Sequence, residues 1–561
     1  MTSYRLQRLA NRKPGKIRTD VASVSEMPCR IMIVRPPALG LISEPKKKNL
    51  KPTYPHPTTT TVPPISQAIV AAMLQEELPP MGIEADISIV DMRSEKGQEG
   101  IRVNEYRSID YGDYVIRCHR VGGIDFDDLN VKISTADVIC LTAIFTTEAR
   151  ILKDFIEHCK KVKPDVRILV GGKDATARPG YYLAAGADVI VRGYGNKAGA
   201  EAIKRLMEGK PLEGIQGINT NSIEVVSPPS KRGDYGKLPV PAFDLIDDLS
   251  GYTGSHAGGF AAGVEGPSMY ISFSRGCFYG CRFCLTSKER YDFLTLAQTE
   301  KLLEHYKEHS IKVLLSSEDN FLQRMDPRVG YEQGRSEVIQ IMRKIREMGF
   351  AICFENGLQM SLFGTTDDKG NFRVDEELVS EVLQHNFESG QLVGTARLHW
   401  PLETFAEHSK LDQKMTKLCG WEQLIHILKA VAKIGIPQIA FGLINFHDDG
   451  EQDLKRTLER CADIRRIVQE ASGGRTTSYF SVFSEIFIPG TRNFTDEERM
   501  ALVRFPVNEY PELWGAYTPA YDGARKKAWE LFRRRRKLAI QLNSDHKKRR
   551  GPPLWTESTF D

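Results

Sequence analysis

Three closely spaced cysteines are the residues of this chain best suited to chemistry. Cys277, Cys281 and Cys284 stand in the run Ser-Arg-Gly-Cys-Phe-Tyr-Gly-Cys-Arg-Phe-Cys, directly after the apolar residues 269–273. Thiolates this close cannot form a relaxed set of disulfides, but three of them can hold three irons of a [4Fe-4S] cube and leave the fourth iron open. We therefore predict an iron-sulfur cluster on a loop that leaves a buried strand.

This CxxxCxxC loop resembles the signature of the radical S-adenosylmethionine (SAM) superfamily. The resemblance implies that the open iron binds the amino and carboxylate groups of SAM, and that the reduced cluster delivers an electron that cleaves SAM to a 5'-deoxyadenosyl radical. It implies that the ring of Phe283 packs near the adenine of SAM. A reducing partner such as flavodoxin or ferredoxin is implied as well.

Length and composition describe an ordinary protein of several domains. A single core does not fill 561 residues. The chain is 41% hydrophobic and 27% charged, and 77 basic against 73 acidic side chains leave a net charge of +4, so nucleic acid is not an expected partner. The basic runs 533–537 and 547–550 are interpreted as a solvated helix face, with a phosphate or leader-peptide contact as the alternative.

Targeting signals are not evident in the sequence. It has no stretch of 18 apolar residues, and residues 1–20 are basic and polar without an apolar signal core. We expect no membrane segment and a cytoplasmic location. The seven other cysteines, at positions 29, 118, 140, 159, 353, 419 and 461, are scattered as in a reducing compartment. Cys353 or Cys419 is an alternative cluster ligand or radical quencher, against simple burial.

The amino-terminal half predicts a parallel sheet. Short β-branched runs at residues 30–34, 87–90, 138–142, 167–170 and 189–191 alternate with helical stretches at 65–78, 148–161, 180–185 and 197–208. Such βαβ units form a Rossmann-like, doubly wound domain. Ligands bind beyond the carboxyl ends of its strands, where the strand order reverses.

The loops at those carboxyl ends contain the candidate ligand contacts. Glycine pairs let backbone approach a flat ligand, and threonine hydroxyls satisfy amide or phosphate edges. No GxGxxG is present, so a nicotinamide cofactor is disfavoured. The candidates are Pro36, Thr142, Thr146, Thr147, Gly171, Gly172, Lys173, Gly193 and Tyr194.

Residues 170–179 and 186–195 resemble the cobalamin-binding domain that precedes many radical SAM cores. One departure is clear: cobalamin domains with a histidine lower ligand carry Asp-x-His-x-x-Gly, whereas residues 91–96 here read Asp-Met-Arg-Ser-Glu-Lys. The resemblance therefore implies base-off cobalamin without a histidine lower ligand. Arg93 or the loop 142–147 is expected near the lower face of the corrin. The alternative is a scaffold that has lost its ligand.

The central part predicts a second set of parallel strands. Strand runs at 269–273, 312–316, 351–355, 391–397, 438–444 and 479–487 alternate with helical runs, which predicts a closed or partly closed (β/α)6 barrel. The radical SAM resemblance implies the same core. Its site should lie at the carboxyl ends of the strands.

Polar residues at those ends are candidate SAM contacts. The second strand ends in Ser317, Glu318, Asp319 and Asn320, where the family often places an acidic group for the SAM ammonium. Glu355, followed by Asn356, closes the third strand. Arg397 lies at the predicted end of the fourth, and its guanidinium suits the SAM carboxylate. The alternative for each is a surface residue or a local ion pair.

The carboxyl end predicts a small cap. Tyr510, Trp514, Tyr517 and Tyr521 precede a basic helix over residues 523–542. The aromatic rings either enclose a flat substrate or pack the cap itself. The predicted division is an extension 1–28, a cobalamin-binding domain 29–238, a linker 239–253, a radical SAM partial barrel 254–492 and a cap 493–561. The fold class is thus α/β: a Rossmann-like doubly wound domain, a partial (β/α)6 barrel and a cap.

Together the two resemblances imply a cobalamin-dependent (class B) radical SAM methyltransferase. It would move a methyl group from SAM through methylcobalamin to a carbon of a small-molecule or peptide substrate in natural-product biosynthesis, tryptophan C-methylation included. Some relatives use cobalamin without forming the radical. The alternatives are a cyclase or rearrangement enzyme with the same cofactors and a non-enzymatic corrin or iron-sulfur sensor. A methylthiotransferase is disfavoured because its three extra amino-terminal cysteines are not apparent.

Overall fold

The structure is a computed structural model that describes residues 28–47, 63–94, 100–221, 227–229, 235–253, 264, 266–287, 289–367, 369–388, 390–523 and 526–544. Nearly all of the predicted extension 1–28 and the basic run 547–550 lie outside the described residues. Within the described ranges, no helix combines the length and the apolar character needed to cross a bilayer.

The amino-terminal half is built on a six-stranded sheet. Its elements are β1 (Cys29–Arg35), β2 (Ala38–Pro45), β3 (Ala85–Asp91), β4 (Arg102–Tyr111), β5 (Tyr114–Gly122), β6 (Val138–Thr142), β7 (Arg167–Gly171), β8 (Val189–Val191) and β9 (Ile218–Asn219), with helices α1 (Ile65–Glu77), α2 (Asn130–Thr135), α3 (Ala149–Val162), α4 (Lys173–Ala177), α5 (Pro179–Leu183) and α6 (Asn196–Met207). The order is β3-β1-β6-β7-β8-β9, parallel except for β9. The five predicted strands are confirmed. The order reverses between β1 and β6, which defines the switch point.

A second, antiparallel sheet was not predicted. It has the order β2-β5-β4, and the turn Gly112-Asp113 joins β4 to β5. The predicted loop 35–40 is wrong beyond residue 37, because Ala38 begins β2. Ile109 is buried between the exposed Ser108 and Asp110, and Ile116 is buried between two half-buried neighbours, so a period-2 pattern is present but short.

The central part is a six-stranded parallel barrel that stays open. Its elements are β10 (Ser268–Ile271), β11 (Ser274–Cys277), β12 (Glu289–Phe293), β13 (Val313–Ser316), β14 (Ala351–Phe354), β15 (Gly364–Thr366), β16 (Phe372–Val374), β17 (His385–Glu388), β18 (Gln391–Glu403), β19 (Gln438–Asn445) and β20 (Thr477–Ser484), with helices α7 (Leu296–Glu308), α8 (Tyr331–Glu347), α9 (Glu376–Leu383), α10 (Glu407–Asp412), α11 (Trp421–Ile434) and α12 (Glu451–Ala471). The barrel order is β10-β13-β14-β18-β19-β20, with β10 and β20 at opposite ends. The predicted α/β fold with a partial (β/α)6 barrel is confirmed.

Three barrel strands differ from the predicted bounds by two residues or more, among them β20, which ends at Ser484 and not at residue 487. The fourth, β18, continues to Glu403, so the prediction that Arg397 ends it is wrong. Leu398, Trp400 and Leu402 explain the extension, because they prolong the alternation of buried side chains. The first strand, β10, ends at Ile271, and the antiparallel pair β11–β12 then carries the cysteine loop.

The last barrel strand is protected by the residues that follow it. These form a cap with helices α13 (Glu497–Ala501) and α14 (Ala528–Asn543). The Asn543 side chain bonds both the N–H and the C=O of Phe480 on β20, at 3.0 and 2.9 Å. Arg535 donates to the C=O of Val482 at 3.0 Å. These bonds satisfy backbone groups that an edge strand would otherwise leave unpaired.

The cap also packs against the amino-terminal half. Trp514 and Tyr521 are buried in one cluster with Tyr111 of β4 and Phe532 of α14. The packing interpretation therefore holds for Trp514 and Tyr521. Tyr517, by contrast, is 47% exposed.

Substitution of a glycine at the switch point tests this fold. Gly172 has φ +107°, and an added Cβ would lie 2.4 Å from the Ala143 oxygen. We expect Gly172→Ala to lower the free energy of unfolding of the apoprotein by about 2–3 kcal/mol. Gly180→Ala is the control: its Cβ meets no atom within 4 Å, so the change should stay within about 1 kcal/mol. Equal denaturation midpoints for the two variants would contradict the geometry.

Candidate active site

The three cysteines lie on one loop at the mouth of the barrel. The loop leaves β11 at Cys277 and reaches β12 after Cys284, and all three thiols are free. The Gly276 N–H donates to Asp319 Oδ2 at 2.7 Å, which joins the loop to the end of β13. Sequence spacing alone predicted a loop after a strand. The hairpin that holds it was not predicted.

The surroundings of the thiols fit a cluster. Burial raises the pKa of Cys281 to about 11; the Lys417 ammonium opposes this rise, and the Cys284 and Cys277 thiols add to it. The three side chains therefore converge. Yet, in the described part of the chain, they do not form a set whose sulfur atoms all lie within 4.8 Å of one another. Three neighbouring thiolates on one loop can each bind a different iron of a cube.

A buried polar network fixes the far side of this loop. The Arg282 N–H donates to the Gln413 oxygen at 3.1 Å, and its side chain pairs with Asp496 and Asp412. Gln413 in turn donates to the buried Glu485, just beyond β20, at 3.2 Å. No local sequence pattern indicates this network, because its members are distant in the chain.

The same carboxylate orients a histidine that sequence reasoning also missed. His447 Nδ1 lies 2.7 Å from Glu485, which Arg499 and Asn493 also contact, at 3.3 and 3.1 Å. Burial lowers the pKa of His447, but the bond to Glu485 outweighs it and the pKa rises. Glu485 is thus shared by four donors at the ends of two barrel strands.

The predicted SAM contacts after β13 divide into two groups. Glu318 is buried beneath the loop, where the Ser274 and Ser316 hydroxyls donate to it, and burial raises its pKa to about 7. Ser317 lies near the Ser272 hydroxyl at 3.3 Å. Asn320, together with Asp319, instead lines a cavity.

This cavity occupies the mouth of the barrel beside the cysteine loop. It measures about 770 Å³ and is bounded by the ends of β13, β14 and β18 and by residues 404–421, which we call the strap. Gln359 in its wall donates to the Tyr279 hydroxyl of the cysteine loop at 2.6 Å. Glu403, held at φ +59°, pairs with Lys417 of the strap at 3.1 Å. The volume of the cavity is in the range of small-molecule sites.

The other predicted SAM contacts lie apart from this cavity wall. Arg397 is buried inside the barrel, where it pairs with Glu355 at 3.3 Å and donates to the Tyr479 hydroxyl at 2.7 Å. Phe283 lies half-buried on the cysteine loop. The SAM roles of these residues stay predictions.

The predicted cobalamin contacts gather at one edge of the amino-terminal sheet. This switch-point edge consists of the loops after β1, β6, β7 and β8. It holds all nine candidates, namely Pro36, Thr142, Thr146, Thr147, Gly171, Gly172, Lys173, Gly193 and Tyr194. Several of them already have partners within the protein: Pro36 is buried and accepts from Arg93 at 2.9 Å, Thr142 accepts from Gln67 at 2.5 Å, and Thr146 donates to Asp174 at 2.6 Å. Lys173 and Gly193 are exposed.

The edge fits a large ligand with an apolar face. Ile144 and Phe145, in the loop after β6, are 37% and 59% exposed although both are large and apolar. Arg93 is held beside them by Glu148 at 2.6 Å. No histidine occurs among the described residues of these loops. Base-off binding stays a prediction.

Comparison with known families identifies both halves. The B12 binding domain model matches residues 128–203, and the Radical SAM superfamily model matches residues 271–461. The chain therefore contains a B12-binding domain followed by a radical SAM domain, and the predicted resemblance and set of cofactors are confirmed at that level. A comparison with curated proteins found no match.

Solved structures share this architecture. TsrM from Kitasatospora setae, a radical S-adenosylmethionine methyltransferase with cobalamin and a [4Fe-4S] cluster bound, is 14% identical with a TM-score of 0.50 over 83% of this chain and 74% of its own. TsrM with tryptophan substrate and aza-SAM bound gives 14% and 0.51 over 85% and 77%. The cobalamin-dependent S-adenosylmethionine radical enzyme OxsB, with aqua-cobalamin bound, gives 16% and 0.57 over 86% of this chain and 64% of its own. At identities this low, the matches show a common fold and nothing finer.

Removal of one loop thiol tests the cluster assignment. We expect Cys281→Ala to lose the cluster, so that iron after anaerobic reconstitution falls from about four atoms per chain to near zero. Cys419→Ser is the matched control, because Cys419 lies in the strap, outside the loop. It should keep its iron. Full iron in Cys281→Ala, or loss in Cys419→Ser, would contradict the assignment.

Proposed function

We propose that this chain is an enzyme that transfers a methyl group from SAM, by way of cobalamin, to a carbon of a small-molecule or peptide substrate. The observation that carries the proposal is direct contact between the two candidate cofactor sites. Tyr194 of the switch-point edge lies 4.6 Å from the Arg275 guanidinium and 3.3 Å from Glu289, both on the hairpin that holds the cysteines. Ligands on the edge and on the cysteine loop would therefore face one barrel mouth.

The electrostatic surroundings of Tyr270 support a substrate position inside the barrel, between the two sites. Tyr270 points inward from β10. Burial raises its pKa to about 12; Glu355 adds to the rise, and Arg35 and Arg397 lower it. Arg35 ends β1 of the amino-terminal sheet, whereas Glu355 and Arg397 belong to the barrel. A substrate inside the barrel would thus be within reach of both cofactors.

The cavity at the mouth supports a revised SAM site. We assign the SAM ammonium to Asp319 rather than Glu318, because Asp319 lines the cavity and Glu318 is enclosed by serines. We assign the SAM carboxylate to Lys417 rather than Arg397. Lys417 lines the cavity and influences the cluster thiols, whereas Arg397 lies outside the cavity wall.

The bound cofactors would supply the chemistry. The reduced cluster would deliver the electron that breaks SAM, and cobalamin would carry the methyl group. The protein's own contribution is positioning. The strap and its Glu485 network hold the cysteine loop, and the switch-point edge holds the corrin against the barrel. Holding reactants in register accounts for a large part of such catalysis.

Product analysis tests the proposal. After anaerobic reconstitution with iron, sulfide and cobalamin, the reduced protein should convert SAM to S-adenosylhomocysteine, about one molecule per bound corrin without any acceptor. L-Tryptophan is the first acceptor to test, with methyl-deuterated SAM and mass spectrometry. Both S-adenosylhomocysteine and 5'-deoxyadenosine indicate radical methylation, and the former alone indicates methylation without the radical.

Two outcomes would contradict the proposal. Formation of 5'-deoxyadenosine alone would indicate a cyclase or rearrangement enzyme. Failure to retain corrin would remove the methyl carrier. Protein reconstituted without cobalamin is the control, and it should form no S-adenosylhomocysteine.

A further inference from the structure

The inside of the barrel contains polar side chains that neither cofactor site uses. Glu355, Arg397, His399 and Tyr479 lie there, on or just after three different strands. Arg397 joins two of them, pairing with Glu355 at 3.3 Å and donating to the Tyr479 hydroxyl at 2.7 Å. The proposed function puts the substrate in this region, between the switch-point edge and the cysteine loop.

The charges of this region cancel. Arg397, the cation among these four side chains, is balanced by Glu355. A phosphate or a carboxylate that entered here would have to compete with this ion pair. The region therefore favours a neutral ligand.

His399 is the side chain in this region that remains available to a ligand. Neither of its ring nitrogens has a hydrogen-bond partner among the described residues. Burial, with Arg397 and Lys417 adding to its effect, lowers its pKa to about 3, so the imidazole is neutral at neutral pH. A neutral imidazole has one nitrogen that accepts a hydrogen bond. A partly buried acceptor nitrogen that has no hydrogen-bond donor is energetically unfavourable.

Two glycines make room beside this imidazole. A Cβ at Gly442, on the neighbouring strand β19, would lie 2.6 Å from His399 Nε2. A Cβ at Gly357, which lines the cavity, would lie 3.2 Å from His399 Cδ2. These glycines thus let the imidazole pack closely against the backbone, while His399 stays partly exposed to the space inside the barrel.

Aromatic rings border the same space. Phe483 of β20 would lie 3.7 Å from the Gly442 Cβ. Its ring centre is 5.9 Å from that of Tyr517 in the cap, whose side chain is 47% exposed. Aromatic walls favour flat ligands, since ring faces and edges pair well.

From these features we propose that His399 selects the substrate: it accepts a hydrogen bond from the ring N–H of a neutral, flat heterocycle held against Phe483 and Tyr517. The proposal rests on the proposed function, because it places the methyl acceptor inside the barrel. It makes His399 a specificity-determining residue. A site built to receive a donor discriminates strongly against analogues that lack one.

Binding of three small probes to the reconstituted holoenzyme tests this. Indole carries the ring N–H, whereas benzothiophene has nearly the same shape without a donor and N-methylindole has the donor blocked. By equilibrium dialysis, we expect indole to bind at least about tenfold more tightly than either analogue. His399→Phe should lose the preference, and His399→Gln, which retains an acceptor oxygen, should keep part of it.

The control variant is His426→Gln, whose residue is exposed on α11, outside the cavity wall and outside the strap. It should bind all three probes as the parent protein does. Equal binding of indole and benzothiophene, no binding of indole, or an unchanged preference in His399→Phe would overturn the proposal. Because dialysis needs no turnover, these outcomes are separate from failure to form S-adenosylhomocysteine.

Discussion

The open side of the barrel is the constraint on which the rest of this structure depends. β10 and β20 lie at opposite ends of the barrel sheet and do not pair with each other. Their outer edges are covered by other parts of the chain. Asn543 bonds the backbone of β20, and Tyr252, whose oxygen accepts the first N–H of β10, also donates to Asp91 of the amino-terminal sheet at 3.0 Å. Covering these edges brings the switch-point edge to the barrel interior, so two cofactor sites can serve one substrate.

A second constraint acts on the cysteine loop. Glu485 is buried and accepts from a glutamine, an asparagine, an arginine and a histidine, so removal of one donor would leave a costly buried charge poorly satisfied. Through Gln413 this carboxylate fixes the strap, and the strap fixes Arg282 between two of the cysteines. Glu403, at the other end of the strap, keeps a left-handed backbone that costs free energy and positions Lys417 at the cavity. We interpret the strap as the element that sets the cysteine loop relative to the cavity.

Features encoded by local sequence patterns could be predicted, whereas features formed by contacts between distant residues could not. Both parallel sheets followed from apolar runs, and the cysteine loop from spacing alone. Arg397 lies inside its strand because the alternation of buried side chains continues to Leu402. Position in a motif does not tell whether Glu318 or Asp319 faces the cavity. The Glu485 network and the pairing of Lys417 with Glu403 join residues far apart in the chain. His399 gave no signal, since its availability depends on glycines of two other segments.

The central claim is that one chain holds a cluster and a corrin against the same barrel interior. Pulsed electron paramagnetic resonance of the doubly reconstituted protein, with the cluster reduced and the cobalt in its Co(II) state, tests it most directly. The account predicts dipolar coupling between the two spins, lost in Cys281→Ala, and a cobalt signal without splitting from a histidine nitrogen. Two full but independent signals, with no coupling between cluster and cobalt, would contradict it.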